Sequence, residues 1–393
     1  MKKLVTGAFA LTAMGLTFAQ ENTNNATQAG SGNNLTVTQR LQENKNVYSQ
    51  TGVSNEGTVT QYGRFNENKT TQSGSDNTAT TTQGTSAAQF GLRNSVEQIQ
   101  TGDDHTATAS QLKTADSDIM QTQVGGDNNW ASASQRDNTS LSGIIQYQDG
   151  NDNVATATQE GNNLSAAVVG RLNDINQKQE GDDNEATATQ LVSANSSIMQ
   201  DQLGDRNIAM ATQGNGSFNG GRGNSAEQIQ DGDDNYAMVE QVGSNNISYQ
   251  LSNGNNNESY GYQNGSDNNL EVRQVGDFNI ADSEQRGFDN SATINQTGNE
   301  NEAYSYQRGI SNNSVIVSQT GDGNISNTNQ DGIFGLSWDN EISHTQNGDN
   351  NKSTDVQYGW NNTSTVSQTG MGNVHVGSQV GFNNNITVTQ SGN

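Results

Sequence analysis

Glutamine returns at every eleventh position over long stretches of this 393-residue chain. One run is Gln28, Gln39, Gln50, Gln61, Gln72 and Gln83; another goes from Gln263 through Gln274, Gln285 and Gln296 to Gln307; a third goes from Gln346 through Gln357, Gln368 and Gln379 to Gln390. Single intervals such as Gln148 to Gln159 lie between them. A period this short restricts the fold to a stack of small units, none of which can bury a face by itself. Inside the intervals Gly follows the first Gln by two positions, except at Leu41, and Asn follows by five, except at His105. The unit is Q-x-G-x-x-N-x-A-x-x-x-Q, seen as Gln179, Gly181, Asn184, Ala186, Gln190 and as Gln202, Gly204, Asn207, Ala209, Gln213.

The two halves of the unit have different conformational demands. From Asn to the next Gln the positions alternate: Asn384, Ile386, Val388 and Gln390 share one parity, Asn385, Thr387 and Thr389 the other. A period of two means a strand. Before the Asn come Gly and often Asp, as in Gly181-Asp182-Asp183, residues that accept positive φ and form tight turns. A longer period overlies the short one. Between residues 94 and 241 alternate strands carry a second Gln and usually an Ile, as in Ile119, Gln121, Gln123 and Ile144, Gln146, Gln148. Two strands therefore make one repeat of about 22 residues, strand-turn-strand-turn, and the expected fold is an all-β solenoid with cross-β stacking. Interior Gln and Asn would hydrogen-bond to their own copies above and below, which removes the cost of an unpaired buried amide. The expected stacking ladder includes Gln28, Asn33, Gln39, Gln148, Asn153, Gln159, Gln179, Asn184, Gln190, Gln202, Asn207, Gln213, Gln379, Asn384 and Gln390. The spacing lengthens near 84–97, 214–227 and 331–345, read as irregular turns in one array over 20–393, with separately folding blocks as the alternative.

Composition agrees with a stack and not with a conventional core. Apolar residues make up 28% and charged residues 15%, the balance being largely Asn, Gln, Thr, Ser and Gly, which either stay disordered or satisfy one another in ladders. The net charge of -25 disfavours nucleic acid and anionic membranes as partners. With no Cys there are no disulfides or thiolate metal sites, and with no Pro nothing interrupts a strand ladder. Lys2-Lys3, the mostly apolar stretch Leu4 to Phe18, and small Thr17 and Ala19 read as a secretory leader over 1–19, too short to span a bilayer.

These residues resemble the curlin repeat, S-x5-Q-x-G-x-x-N-x-A-x3-Q, which Ser142, Gln148, Gly150, Asn153, Ala155, Gln159 match throughout, as do Ser196, Gln202, Gly204, Asn207, Ala209, Gln213. The resemblance implies a curli fibre subunit of a Gram-negative bacterium, exported through the periplasm and an outer-membrane secretion pore. It would then polymerise at the cell surface with a curli-type nucleator, serving adhesion and biofilm matrix. Two departures are the number of coils, roughly sixteen at 22 residues each against about five in typical curlins, and the short segment Gln20 to Thr27 before the first repeat. The expected mechanism is templated homopolymerisation without a cofactor, with Gln39 and Gln390 near the growing ends.

Other readings are weaker. Asp-rich turns such as Gly102-Asp103-Asp104 could hold Ca²⁺, but are read as carboxylates that keep the chain soluble and slow premature stacking. Thr36 with Thr38, Thr156 with Thr158, Thr187 with Thr189 and Thr387 with Thr389 resemble an ice-binding face, yet other residue types at equivalent positions predict that no flat Thr array persists. Glycan binding is compatible with scattered Tyr and Trp but specified by nothing. No catalytic constellation is expected, since His105, His344 and His375 are far apart and the acids are scattered; Trp130, Trp338 and Trp360 are read as isolated.

Overall fold

A computed structural model describes residues 21–84, 92–137, 139–161, 172–214, 221–331 and 337–392. The expected leader over 1–19 lies outside the described residues, as do half of the long turn near 84–97 and parts of those near 214–227 and 331–345. The described chain is all-β, with no helix, and its strands run from β1 (Thr23–Ser31) and β2 (Asn34–Arg40) to β30 (Val374–Phe382) and β31 (Asn385–Ser391). Odd-numbered strands pair only with odd ones and even with even, always parallel, so each strand pair is one coil of a β-solenoid. Contacts divide the chain into two units, 1–195 and 196–393.

Among the described residues of the first unit fourteen strands make seven coils. Alternation sets the inside: in β12 (Val154–Glu160) Ala155, Ala157 and Gln159 are buried while Thr156 and Thr158 are half-exposed. The facing strand β11 (Gly143–Asp149) buries Ile144, Gln146 and Gln148, so small Ala on one sheet accommodates Ile and Gln on the other. Tyr48 is the largest such insertion. Its hydroxyl donates to Gln72 Oε1 at 2.9 Å, and Gly57 opposite leaves the ring its room, because a β-carbon there would sit 2.4 Å from the Tyr48 oxygen. Burial first, and the Glu56 charge second, push the Tyr48 pKa far up, so the hydroxyl is a neutral donor.

The repeat is not a fixed 22 residues. Coils pair at that spacing between Thr23 and Lys45, but Glu67 pairs with Ser95 and Gly143 with Asp174, spacings of 28 and 31. The strands keep register across these unequal spacings. This register overturns the expectation about threonine. In β2, β4 (Glu56–Tyr62), β6 (Thr78–Gln83), β8 (Thr106–Leu112), β10 (Trp130–Arg136), β12 and β14 (Glu185–Leu191) the two central outward positions are Thr or Ser in every coil, stacked in register. Variable corners hide the columns from any fixed-period reading.

The described residues of the second unit form seventeen strands, eight coils and the half-coil β31. Its core is Leu270, Val272, Ala292, Ile294, Val315, Val317 and Ile342 with Ala281 and Ala303, all buried. Here Gly261 makes room for Leu270 as Gly57 does for Tyr48. After the irregular segments the pattern resumes at Arg222, bridged to Ser244, and at Trp338, bridged to Ser311 and Trp360. No helix among the described residues is long and apolar enough to cross a membrane.

Candidate functional site

The feature repeated in both units is a set of buried amide ladders along the corners and interior. The strand places each ladder Gln inward and the turn Gly lets the chain double back, so the same amide recurs one coil later. In the first unit Gln28 Nε2 donates to Gln50 Oε1 at 2.6 Å, Gln39 to Gln61 at 2.8 Å, Gln148 to Gln179 at 2.9 Å and Gln159 to Gln190 at 3.0 Å. In the second, Gln202 donates to Gln230 and Gln213 to Gln241, both at 2.9 Å, while Gln379 accepts from Gln357 and Gln390 from Gln368, both at 2.7 Å. The same Nε2 groups also bind corner carbonyls, as Gln50 does with Asn55 of its own corner and Asn34 of the preceding coil. Each interior amide therefore spans strand, corner and neighbouring coil, and the carbonyls that turn inward are not left bare.

Asparagine ladders run at the corners with the opposite sense. Asn33 Oδ1 accepts from the backbone N–H of Asn55 at 3.0 Å, Asn153 Oδ1 from that of Asn184 at 3.0 Å, and Asn207 Oδ1 from that of Asn235 at 3.0 Å. Asn384 donates its N–H and Nδ2 to Asn362 Oδ1. His105 occupies an Asn position in the same manner: its N–H meets Asn77 Oδ1 at 3.0 Å and its Nδ1 accepts from Asn129 N–H at 3.3 Å. Burial, its largest influence, lowers its pKa despite the Thr101 carbonyl and nearby Asp127, Asp103 and Asp104, so a neutral ring replaces a neutral amide.

A third ladder was not read from the sequence. In several coils the residue after the turn Gly is Asn or Asp, and its Oδ1 accepts the corresponding N–H of the preceding coil. Asp182 accepts from Asn151 at 2.8 Å, Asp277 from Asn255 at 2.8 Å, and Asp322 from Asn299 at 2.8 Å. These turn acids bind backbone between coils in addition to any repulsion they exert. The Gly-[Asp/Asn] pairing in successive units was the available signal.

Two further groupings correct the reading of isolated residues. His344 and His375 both reach the buried carboxylate of Asp355, at 2.7 and 3.1 Å, and Ser364 Oγ donates to it at 2.9 Å. The three lie on β27 (Glu341–Asn347), β28 (Lys352–Trp360) and β30, so folding collects what sequence distance separates. Trp338 and Trp360 stack with centroids 4.8 Å apart, and Trp360 stacks on Phe382 at 5.3 Å, because all three occupy one register position on successive coils.

In the first and last described coils the ladders are open. Among the described residues no donor meets Gln28 Oε1 or Gln39 Oε1, and beyond Thr363 O and Val374 O no acceptor meets the remaining N–H of Gln379 or Gln390. One end thus offers amide acceptors and the other amide donors. In the middle of the array each link has a measurable cost of loss: Gln285 accepts from Gln263 at 2.8 Å and donates to Asn269 O at 2.8 Å and Gln307 Oε1 at 3.0 Å. Gln285→Leu strands these partners in a buried column, and urea titration is expected to show a loss of about 3 kcal/mol. An unchanged midpoint would show that the ladder is ornamental to stability.

Residues 287–321 match the family model of the Curlin associated repeat. That span takes in β23 (Ser291–Thr297), β24 (Glu302–Ser311) and β25 (Ser314–Thr320), with the Gln296 to Gln319 link at 3.0 Å inside it. The resemblance to the curlin repeat holds there. No curated protein matches the chain.

Proposed function

We propose that this chain is a structural subunit of an extracellular curli-like fibre, which grows as copies add end to end through their terminal coils. The observation that carries the reading is the complementarity of the two open ends, amide donors at Gln379 and Gln390 and amide acceptors at Gln28 and Gln39. An unpaired parallel edge with a matching side-chain column is a template for another strand. The terminal sequences match as well: Asn33-Asn34-Leu35-Thr36-Val37-Thr38-Gln39 at one end parallels Asn384-Asn385-Ile386-Thr387-Val388-Thr389-Gln390 at the other. A joint between them would continue every ladder with the side-chain types already used inside the array.

The curlin repeat match and the leader read over residues 1–19 support export and surface assembly, with a secretion pore and a nucleator as partners and adhesion and biofilm matrix as the roles. The chemistry is non-covalent, and catalysis has no part in it. Diluted from denaturant, the chain without residues 1–19 is expected to form thioflavin-positive filaments with cross-β reflections at about 4.8 and about 10 Å. Filament elongation should slow strongly in Gln390→Lys, which puts a charge in the open column. A chain that folds and stays monomeric under seeding would overturn the proposal.

A further inference from the structure

The first unit carries a surface that fibre growth does not use. On its even-numbered strands one outward column runs Thr36, Thr58, Thr80, Thr108, Ser132, Thr156 and Thr187, each paired in register with the next. A second column runs two residues further along each strand, from Thr38 to Thr189, and is likewise Thr or Ser in all seven coils. Every member is partly or fully exposed. Charged residues such as Arg40, Glu56, Arg136 and Glu160 stand at the strand ends, outside the two columns.

A general preference of strands for outward threonine does not account for this strip. The opposite sheet of the same unit has Lys69 with Thr71, Glu97 with Ile99 and Ile145 with Tyr147 at its central outward positions. In the second unit the even-numbered strands have Met238 with Glu240, Tyr260 with Tyr262 and Asp282 with Glu284 there. The repeat therefore tolerates nearly any side chain at these positions, and only one face of one unit is uniformly hydroxylated. The uniformity also survives corners of different length: successive members are as close in sequence as Thr36 and Thr58 and as distant as Thr156 and Thr187.

Such a strip is a two-dimensional lattice. Its hydroxyls recur about 6.6 Å apart along each strand and about 4.8 Å apart from coil to coil. Each can donate one hydrogen bond and accept two, so the strip can hold water molecules in a repeating arrangement without a charge to disorder them. A soluble ligand has no use for seven identical sites in a row, whereas a crystal surface repeats in both directions. The surface made of hydrogen-bonded water on this length scale is ice. We propose that the hydroxyl strip of the first unit binds ice, a function separate from fibre growth and independent of whether the chain is polymerised.

The test is thermal hysteresis and ice-crystal shaping by the freshly refolded full chain, with Thr108→Lys and Thr156→Lys in the strip and Thr354→Lys at an outward position of the second unit. Lys69 and Lys178 already stand at outward strand positions, so lysine is compatible with the coil. Shaped crystals and a hysteresis gap are expected from the parent and from Thr354→Lys, with loss of most of the gap in both strip variants. Far-UV circular dichroism and filament formation should be the same in all four proteins. Unshaped ice with the parent chain would overturn the proposal, as would strip variants that keep the gap or a Thr354→Lys variant that loses it equally. Because filament formation is read separately, either reading can fail without the other.

Discussion

Gly276→Ala is expected to destabilise the second unit by about 4 kcal/mol, far more than the removal of one methyl-sized cavity would. Gly276 has φ +115, a region in which a side chain is strained, and an ideal β-carbon there would lie 2.1 Å from the Gly298 carbonyl oxygen. Both penalties apply together. The backbone of the next coil occupies the place a side chain needs, and that coil cannot move aside without breaking the bond from Gly298 N–H to Val275 O, 2.9 Å, and the ladders around it. Gly372 supplies the comparison: φ is +69 and nothing lies within 4 Å of its β-carbon position, so Gly372→Ala should cost only about 1 kcal/mol. Hydrogen exchange and urea unfolding of the two variants measure the difference. Equal losses would mean that turn strain alone, and not the close approach of successive coils, demands glycine.

The contrast explains why so much of the fold could be read directly. A repeat whose every copy meets its own copy turns spacing into contact: Gln148 and Gln179 touch because each stands at the same place in its unit. Strand, turn and ladder all follow from that identity. What escaped the reading depends on which coil lies above which, and the corners decide that. Thr80 pairs with Thr108, 28 residues on, while Thr36 pairs with Thr58, 22 on, so the hydroxyl columns have no constant period. His344, Asp355 and His375 meet across three strands and Trp338, Trp360 and Phe382 across successive coils, contacts between unlike residues that no repeat pattern announces. Asp182, Asp277 and Asp322 sit in solvent-facing turns, where a carboxylate ordinarily signals solubility; their backbone partners emerge only when coils stack.

Asp355→Ala is expected to cost the second unit about 3–5 kcal/mol, the usual penalty for removing one partner from a buried polar pair. The carboxylate lies inside the coil, where a charge is tolerated only because His344 Nε2, His375 Nε2 and Ser364 Oγ surround it, and Ser326 Oγ in turn meets His344 Nδ1 at 2.8 Å. Gly377 on the adjacent strand has no β-carbon; one placed there would stand 1.9 Å from Asp355 Oδ1. Deleting the carboxylate leaves two imidazoles and a hydroxyl facing an apolar gap. The pH dependence has a definite sign. Burial by itself would raise the Asp355 pKa, but the hydrogen bond and charge of His344, with the hydrogen bonds of Ser364 and His375, hold it below the usual carboxylate range. The folded state therefore binds this proton less readily than the unfolded chain. The stabilisation is fully present above the unfolded value of about 3.9 and is lost as pH falls through the lower folded value. Urea midpoints of the parent and of Asp355→Asn should stand apart at about pH 5 and converge as pH drops below about 4. Subtracting the two curves removes the contribution of the other acidic residues, which both proteins share. Parallel curves down to the lowest pH would show that Asp355 titrates alike in the folded and unfolded chain, and a parent that loses stability relative to Asp355→Asn as pH rises above about 4 would show a carboxyl kept protonated in the coil.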